Sequence, residues 1–371
     1  MNDSRYLRLD AADPWRRGHD RGVRTASEIA AAWATYSRLF AVTAAAAGVT
    51  LDVPALARAT LAATRSWAPD LAEEMRGVAD GAGVPLWTIA ALNARTEILA
   101  VADAPRAGEC STVVLTGART FGGQTWDWHD ELAGSWHVQS VRGDVLGFAG
   151  VTEYGMLAKI GLNEAGVGIL FNILGHVDDG ATGVPVHLVV RRVLGTAASL
   201  DDAVAILRQA PVSASTVMTV VTPDRSACVE VSPAGVAVIP PDDEGWLLHT
   251  NHFVDPVLAR GDLRGRREPE TYDRLRLLSA RVRDRSGLDG VDDLAALLTA
   301  HPDDGAEACC HPPAGGRIGT RWATLATIAV EPAARRLMVH SGGPCTATPS
   351  TWLPVTVPSG GDGTSVSFGG D

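Results

Sequence analysis

The sequence predicts an α+β protein from three observations. Apolar residues recur at helical spacing through the first hundred residues, short β-type runs take over after residue 107, and strands and helices then come in blocks and not in strict alternation. Ile29, Trp33, Tyr36 and Phe40 follow one another at steps of four, three and four, which is one face of a helix. Leu71, Met75 and Val78 repeat the pattern behind Pro69-Asp70, a helix start that Gly81 and Gly83 bring to an end. A further helix is expected from Pro85 through the stretch ALNARTEILA, and no strand is evident in this first segment.

From Ala107-Gly108-Glu109-Cys110 onward the texture changes. STVVL is followed by the turn Gly117-Ala118-Arg119 and by FGGQTWDW, the pattern of a hairpin. VGILF, VMTVVT, ACVEV, VAVI, TLATIAV and RRLMV are further strand candidates. Helices are expected at PVHLVVRRVLG, at SLDDAVAILRQA with Ser199 as its cap, at ETYDRLRLLSARV and at VDDLAALLTA. Antiparallel sheets packed with helices account for this order. Residues 356–371, rich in Gly and Ser, read as a flexible tail.

With 371 residues the chain can bury a large core, and a net charge of -11 leaves no basic footprint for nucleic acid. Lys159 is the only lysine. The polar N-terminus and the absence of a long apolar run predict a cytoplasmic protein that does not enter membranes. The five cysteines, Cys110, Cys228, Cys309, Cys310 and Cys345, are irregularly spaced, so reactive thiols are expected rather than disulfides. Cys309-Cys310-His311 and His249-Thr250-Asn251-His252 lack the further ligands at regular spacing that zinc would need, and no metal is expected. No dinucleotide fingerprint, GxSxG elbow or Walker loop is present.

Cys110 opens the first strand of the hairpin, and the returning strand can bring Asp127 and Gln124 beside it. Asn163 reads as a turn residue. Asn172 and Asn251 each end an apolar run, where an amide needs a partner or can serve a developing oxyanion. His249 and His252 read as local scaffolding. Lys159, Gln124 and Glu97 are either structural or a support behind the reactive residues.

These segments, in this order, resemble the isopenicillin N acyltransferase family of N-terminal-nucleophile (Ntn) hydrolases. The resemblance rests on WAPDLAEEMRGVADGAGVPLWTIAALNARTEI, GECSTVV with GGQTWDW, LAKIGLNEAGVGILFNIL, LLHTNHF and RWATLATIAVEPAARRLMVHSGGP. It implies a four-layer αββα sandwich with an N-terminal helical segment. It also implies a precursor cut between Glu109 and Cys110, giving a helical subunit 1–109 and a catalytic subunit 110–355 that stay together as a heterodimer. By the same resemblance Cys110 is the nucleophile, Asp127 orients its freed amine, and Asn251 with the backbone N–H of Asn172 binds the oxyanion. The family's acyltransferase has glycine where Glu109 stands, and a bulkier, charged residue can slow self-cleavage or leave the precursor intact. Gln124 takes the place of an arginine in bile salt and penicillin V hydrolases, so their acyl preference does not transfer.

The resulting expectation is a self-processing cysteine amidohydrolase acting on a small-molecule or peptide-like amide, without a cofactor. Two alternatives stand beside it. One is an acyltransferase that passes an acyl group, for instance from a coenzyme A thioester, to an amine. The other is an uncleaved, non-catalytic descendant that binds an amide.

Overall fold

The computed structural model describes residues 5–102, 110–143, 145–283, 285 and 287–358. Its first element corrects the sequence expectation, because residues 6–9 form a strand, β1 (Tyr6–Leu9). Four residues are too short for a local signal; the strand exists because it pairs in parallel with residues 138–141, far along the chain.

Six helices follow: α1 (Pro14–Arg24), α2 (Ala26–Ala47), α3 (Val53–Trp67), α4 (Pro69–Ala82), α5 (Leu86–Asn93) and α6 (Arg95–Ala102). Asp13 and Asp52 accept the backbone N–H of Arg16 and Ala55, capping α1 and α3. Gly48 and Gly83, at φ +67°, end α2 and α4 in the left-handed conformation. The single helix expected from Pro85 is divided at Ala94 into α5 and α6. Helices α1 and α4 touch backbone to backbone through Gly18, Gly22, Gly77 and Gly81. A Cβ on Gly18 would stand 2.0 Å from the Glu74 carbonyl oxygen, and one on Gly77 2.1 Å from that of Trp15.

The rest of the chain runs β2 (Thr112–Leu115), β3 (Phe121–His129), β4 (Trp136–Val141), β5 (Phe148–Glu153), β6 (Ile160–Asn163), β7 (Gly168–Ile173), α7 (Val186–Thr196), α8 (Leu200–Gln209), β8 (Thr216–Val221), β9 (Ser226–Ser232), β10 (Gly235–Ile239), β11 (Trp246–His249), α9 (Arg264–Arg267), α10 (Glu270–Arg283), α11 (Val291–Leu298), β12 (Trp322–Glu331), β13 (Arg336–Ser341) and β14 (Trp352–Thr356). Strands β4, β5 and β6 gave no sequence signal. Both of their faces are buried, so the polar and apolar residues do not alternate with exposure.

The strands form two sheets, in the orders β1-β4-β5-β6-β7-β8-β9-β10 and β11-β2-β3-β12-β13-β14. Among the described strands, every pairing apart from β1–β4 is antiparallel. The two faces of the second sheet show in β2: Val114 joins the main core, whereas Val113 packs with Leu278, Leu294 and Leu298 beneath α10 and α11. Helix α7 covers the first sheet, with Leu194 against Gly161 of β6. Helices on both outer faces of two stacked sheets make the four-layer αββα sandwich. Buried ion pairs tie the N-terminal helices to it: Glu74 of α4 accepts from Arg17 of α1 and from Arg191 of α7, each at 2.9 Å. At the C-terminal end, Thr356 still pairs with Arg336 and Val357 is buried, while residues 359–371 lie outside the described residues. Among the described residues no helix is long and apolar enough to cross a membrane.

Candidate active site

The hairpin expected from the sequence is present, with Thr112 of β2 opposite Gln124 of β3. Ser111 continues the ladder, its carbonyl accepting the N–H of Thr125 at 3.0 Å and its N–H donating to the Thr125 hydroxyl at 3.1 Å. Cys110 therefore lies level with the end of β3, its Sγ 3.9 Å from the carbonyl oxygen of Asp127. The side chain is only 6% exposed. Burial first, then the nearby Asp127 charge, push the thiol up to about 11, which keeps it protonated and weakly nucleophilic at neutral pH.

Asp127 is buried opposite Thr324 of β12, where a register shift between Thr324 and Ala326 interrupts the pairing of β12 with β3. The Thr324 hydroxyl donates to Oδ1 at 2.6 Å, while the Thr125 hydroxyl and the Cys310 thiol approach Oδ2 at 3.4 and 3.6 Å. None of these close partners is a cation. Burial accordingly dominates and raises the carboxyl to about 7.

The Cys110 carbonyl is gripped from two sides. Asn172, on β7 in the facing sheet, donates its amide to it at 3.0 Å while accepting the Thr112 hydroxyl at 2.7 Å. Arg274, on α10, donates to the same carbonyl at 3.0 Å and to the Ser111 hydroxyl at 3.1 Å. Its other terminal nitrogen donates to Asn251 at 3.2 Å, and the Asn251 amide in turn donates to the carbonyl of Ile173 at 2.9 Å. The structure thus gathers Cys110, Asp127, Asn172 and Asn251 at one point. Asn172 reaches Cys110 through its side chain, whereas the sequence expectation assigned it a backbone role.

The sequence profile of acyl-coenzyme A:6-aminopenicillanic acid acyl-transferase matches residues 114–344, a span that begins just after Cys110 and contains Asp127, Asn172, Asn251 and Arg274. The chain belongs to this acyl-transferase family. It is an enzyme related to acyltransferases. A similar curated protein is the acyl-coenzyme A:6-aminopenicillanic-acid-acyltransferase 40 kDa form of Emericella nidulans, 27% identical over 280 residues, which are 74% of this chain and 76% of the relative. Among solved structures, the N-acylethanolamine-hydrolyzing acid amidase ortholog of Caenorhabditis elegans matches at 13% identity and a TM-score of 0.43, covering 60% of this chain and 93% of its own. A conjugated bile acid hydrolase from Clostridium perfringens matches at 12% identity and a TM-score of 0.45, covering 62% and 89%.

The remaining candidates in this acyl-transferase family member make their closest contacts elsewhere, although the Lys159 charge is near enough to act on the Cys110 thiol and lower it. Gln124 clasps the two sheets together: its side chain accepts the Phe171 N–H at 2.5 Å and donates to the Phe171 carbonyl at 3.0 Å. Lys159 lies 3.2 Å from Glu153 and 4.5 Å over the Trp126 ring, and burial lowers it to about 8. Glu97 accepts the Val186 N–H at the start of α7. His249 faces Glu230 at 2.9 Å, and His252 contacts the hydroxyls of Thr250 and Thr271. Glu109, on the other side of the expected cut, lies outside the described residues.

Sequence reasoning missed Arg274, Thr324 and Cys310. Arg274 did carry a signal, for it shares the buried stripe of α10 with Thr271, Leu278 and Val282, a lone charge on an apolar face. A cleft of about 420 Å³ begins at Ile173, next to Asn172, and is walled by Leu99, Leu174, His176, Asp179 and Arg264. None of Cys110, Asp127, Asn172 and Asn251 lines it; it adjoins the site through Ile173, whose carbonyl accepts the Asn251 amide.

Proposed function

We propose that this chain cuts itself between Glu109 and Cys110 and then acts as an N-terminal cysteine amidohydrolase on a small-molecule or peptide-like amide. The observation that carries the reading is the two-sided grip of Asn172 and Arg274 on the Cys110 carbonyl, which fixes a buried thiol beside Asp127. In the intact chain the Cys110 nitrogen is a peptide nitrogen and cannot accept a proton. Attack of Sγ on the Glu109 carbonyl carbon would break the peptide bond and leave a thioester and a free α-amine. Water then releases the Glu109 carboxylate and restores the thiol.

That amine has a reference pKa of about 7.7–8.0 against about 8.5 for a thiol, so one residue carries both the nucleophile and its matched base. It would take the thiol proton, hand it to the leaving amine, and leave an acyl-thioester for water to open. Asp127 faces the new ammonium, and that charge would draw its carboxyl down from about 7 into the ionised form. The Asn251 amide carries a second hydrogen beyond the one given to Ile173, and we assign it to the oxyanion.

The pieces 1–109 and 110–371 would remain a heterodimer, because β1 pairs with β4, Arg21 donates to Gln139 at 2.7 Å, and Arg95 pairs with Glu153 at 2.7 Å across the cut. Acyl transfer is the second reading, favoured by the acyltransferase activity for which the Emericella nidulans relative is named. A coenzyme A thioester would then acylate the Cys110 thiol and release the coenzyme A thiol, and an amine in place of water would take the acyl group as an amide and restore the thiol.

Denaturing intact-mass measurement of wild type beside Cys110→Ala tests the proposal. Two wild-type species matching 1–109 and 110–371, with the variant uncut, are expected. A single intact wild-type chain without turnover of any amide would overturn it in favour of the non-catalytic binder.

A further inference from the structure

The loop that backs Asp127 brings together four side chains that no local spacing connects. His301 follows α11, Cys309 and His311 lie on the loop leading to β12, and Cys345 lies in the turn after β13. Their ligand atoms all fall within 4.8 Å of one another. Cys309 Sγ is 3.5 Å from Cys345 Sγ and 3.6 Å from His311 Nε2. His311 Nε2 is 3.4 Å from Cys345 Sγ and 3.2 Å from His301 Nε2. A tetrahedral zinc with Zn–S of about 2.3 Å and Zn–N of about 2.0–2.1 Å has edges of about 3.8 Å for S···S, 3.6 Å for S···N and 3.3 Å for N···N. Four of the six separations lie close to those edges, and the remaining two, from His301 to the thiols, are within 4.8 Å.

The surroundings are built to admit this convergence. A Cβ on Gly343 would stand 2.6 Å from Cys309 Sγ, so glycine is what lets the Cys345 turn close over the thiol. The backbone N–H of Cys309 donates to the Ala300 carbonyl at 3.0 Å, folding the loop back on the residue before His301. Two thiols and two imidazole nitrogens present mainly lone pairs to one another, and a soft divalent cation is the partner that satisfies all four.

We propose that His301, Cys309, His311 and Cys345 form a structural Zn²⁺ site. Its four protein ligands close the coordination sphere, so it holds the fold and activates no water. The intervening residue, Cys310, points the other way, to Asp127. Its N–H donates to the Thr324 hydroxyl at 2.9 Å, and that hydroxyl donates to Asp127. The metal would thereby fasten the wall that positions Asp127, a consequence that rests on the function proposed above.

Metal content tests the site without reference to activity. The full-length protein, grown with zinc and purified under reducing conditions, should carry one equivalent by elemental analysis. Cobalt substitution should give the intense visible bands of tetrahedral thiolate coordination. Cys345→Ser and His311→Ala should each weaken zinc binding by more than about a hundredfold in chelator competition, while Cys228→Ala, whose thiol lies apart beside Thr219, should keep the metal. The His301 ring also caps the turn Pro302–Asp304, so His301→Ala removes a cap as well as a ligand, and Cys345→Ser, at an exposed position, is the variant to use if the others do not fold. Substoichiometric metal after reconstitution, or full metal retained by a Cys309→Ser/Cys345→Ser double variant, would overturn the site. So would a Cys309–Cys345 disulfide in the reduced preparation. Zinc present in an uncut chain would leave the site standing and count against self-processing alone.

Discussion

Two buried carboxylates in the same sandwich have opposite fates. Glu153, on β5, would be raised by burial alone, but Arg95 at 2.7 Å and Lys159 at 3.2 Å hold it at about 2. The Tyr36 hydroxyl donates to it as well. Asp127, on β3, is equally buried, yet its close partners are two hydroxyls and a thiol, and it sits at about 7. Burial is common to both; the charge of the neighbours decides. Glu153 is a fixed anion that binds the N-terminal helices to the sandwich. Asp127 is left close to neutrality, where the arrival of one ammonium can change its state.

The largest expected effect comes from breaking the locked member. Glu153→Gln leaves Arg95 and Lys159 buried without their counter-charge, and should cost about 3–5 kcal/mol in denaturant unfolding or prevent recovery of folded protein. An unchanged midpoint would remove the distinction drawn between the two carboxylates. Asp127→Asn should instead fold normally and lose self-cleavage or amide turnover by about 10²–10⁴-fold, read by mass against time. Arg274→Lys keeps the charge but loses the fork that joins Cys110, Ser111 and Asn251. It should slow processing by about a hundredfold, with unfolding little changed.

A smaller effect separates the two sites by pH. In an uncut Cys110→Ala background, Asp127 has a folded value of about 7 against an unfolded value of about 3.9. A raised value means that its stabilising share is complete below the unfolded value and is lost as pH rises to about 7. Asp127→Asn should therefore gain stability relative to that background between pH 4 and 7, by a few kcal/mol at most in paired urea titrations, roughly. Glu153 behaves in the opposite sense, its stabilising share present above an unfolded value of about 4.3 and lost as pH falls toward 2. A flat difference for Asp127→Asn would mean that water or a cation reaches the carboxyl.

Much of the site was readable because it is carried by a hairpin. Once Cys110 stands just before β2 and Asp127 lies on β3, the strand joined to β2 by one short turn, pairing of the hairpin brings them together whatever the rest of the chain does. The helices α2, α4, α7, α8, α10 and α11 were readable for a similar reason, since amphipathic spacing and caps act within a few residues. Strand β1 and the strands β4 to β6 were not, for their pairing partners and their two-sided burial are properties of the assembled sheet. Arg274 was visible only as a charge on an apolar stripe, with nothing in the sequence to say which carbonyl it would meet.

The sequence by itself determined the helical first segment, the hairpin that presents the thiol, the order of family segments and hence the layered α+β fold. Those are outcomes of short-range periodicity, turn chemistry and motif order. Tertiary structure alone decided that Asn172 from a sheet and Arg274 from a helix grip one carbonyl, that the hydrogen bonds Asp127 accepts among the described residues come from hydroxyls and a thiol, and that His301, Cys309, His311 and Cys345 converge. Each of these joins residues on elements distant in the chain, and only packing the layers brings such groups within hydrogen-bonding or coordinating distance.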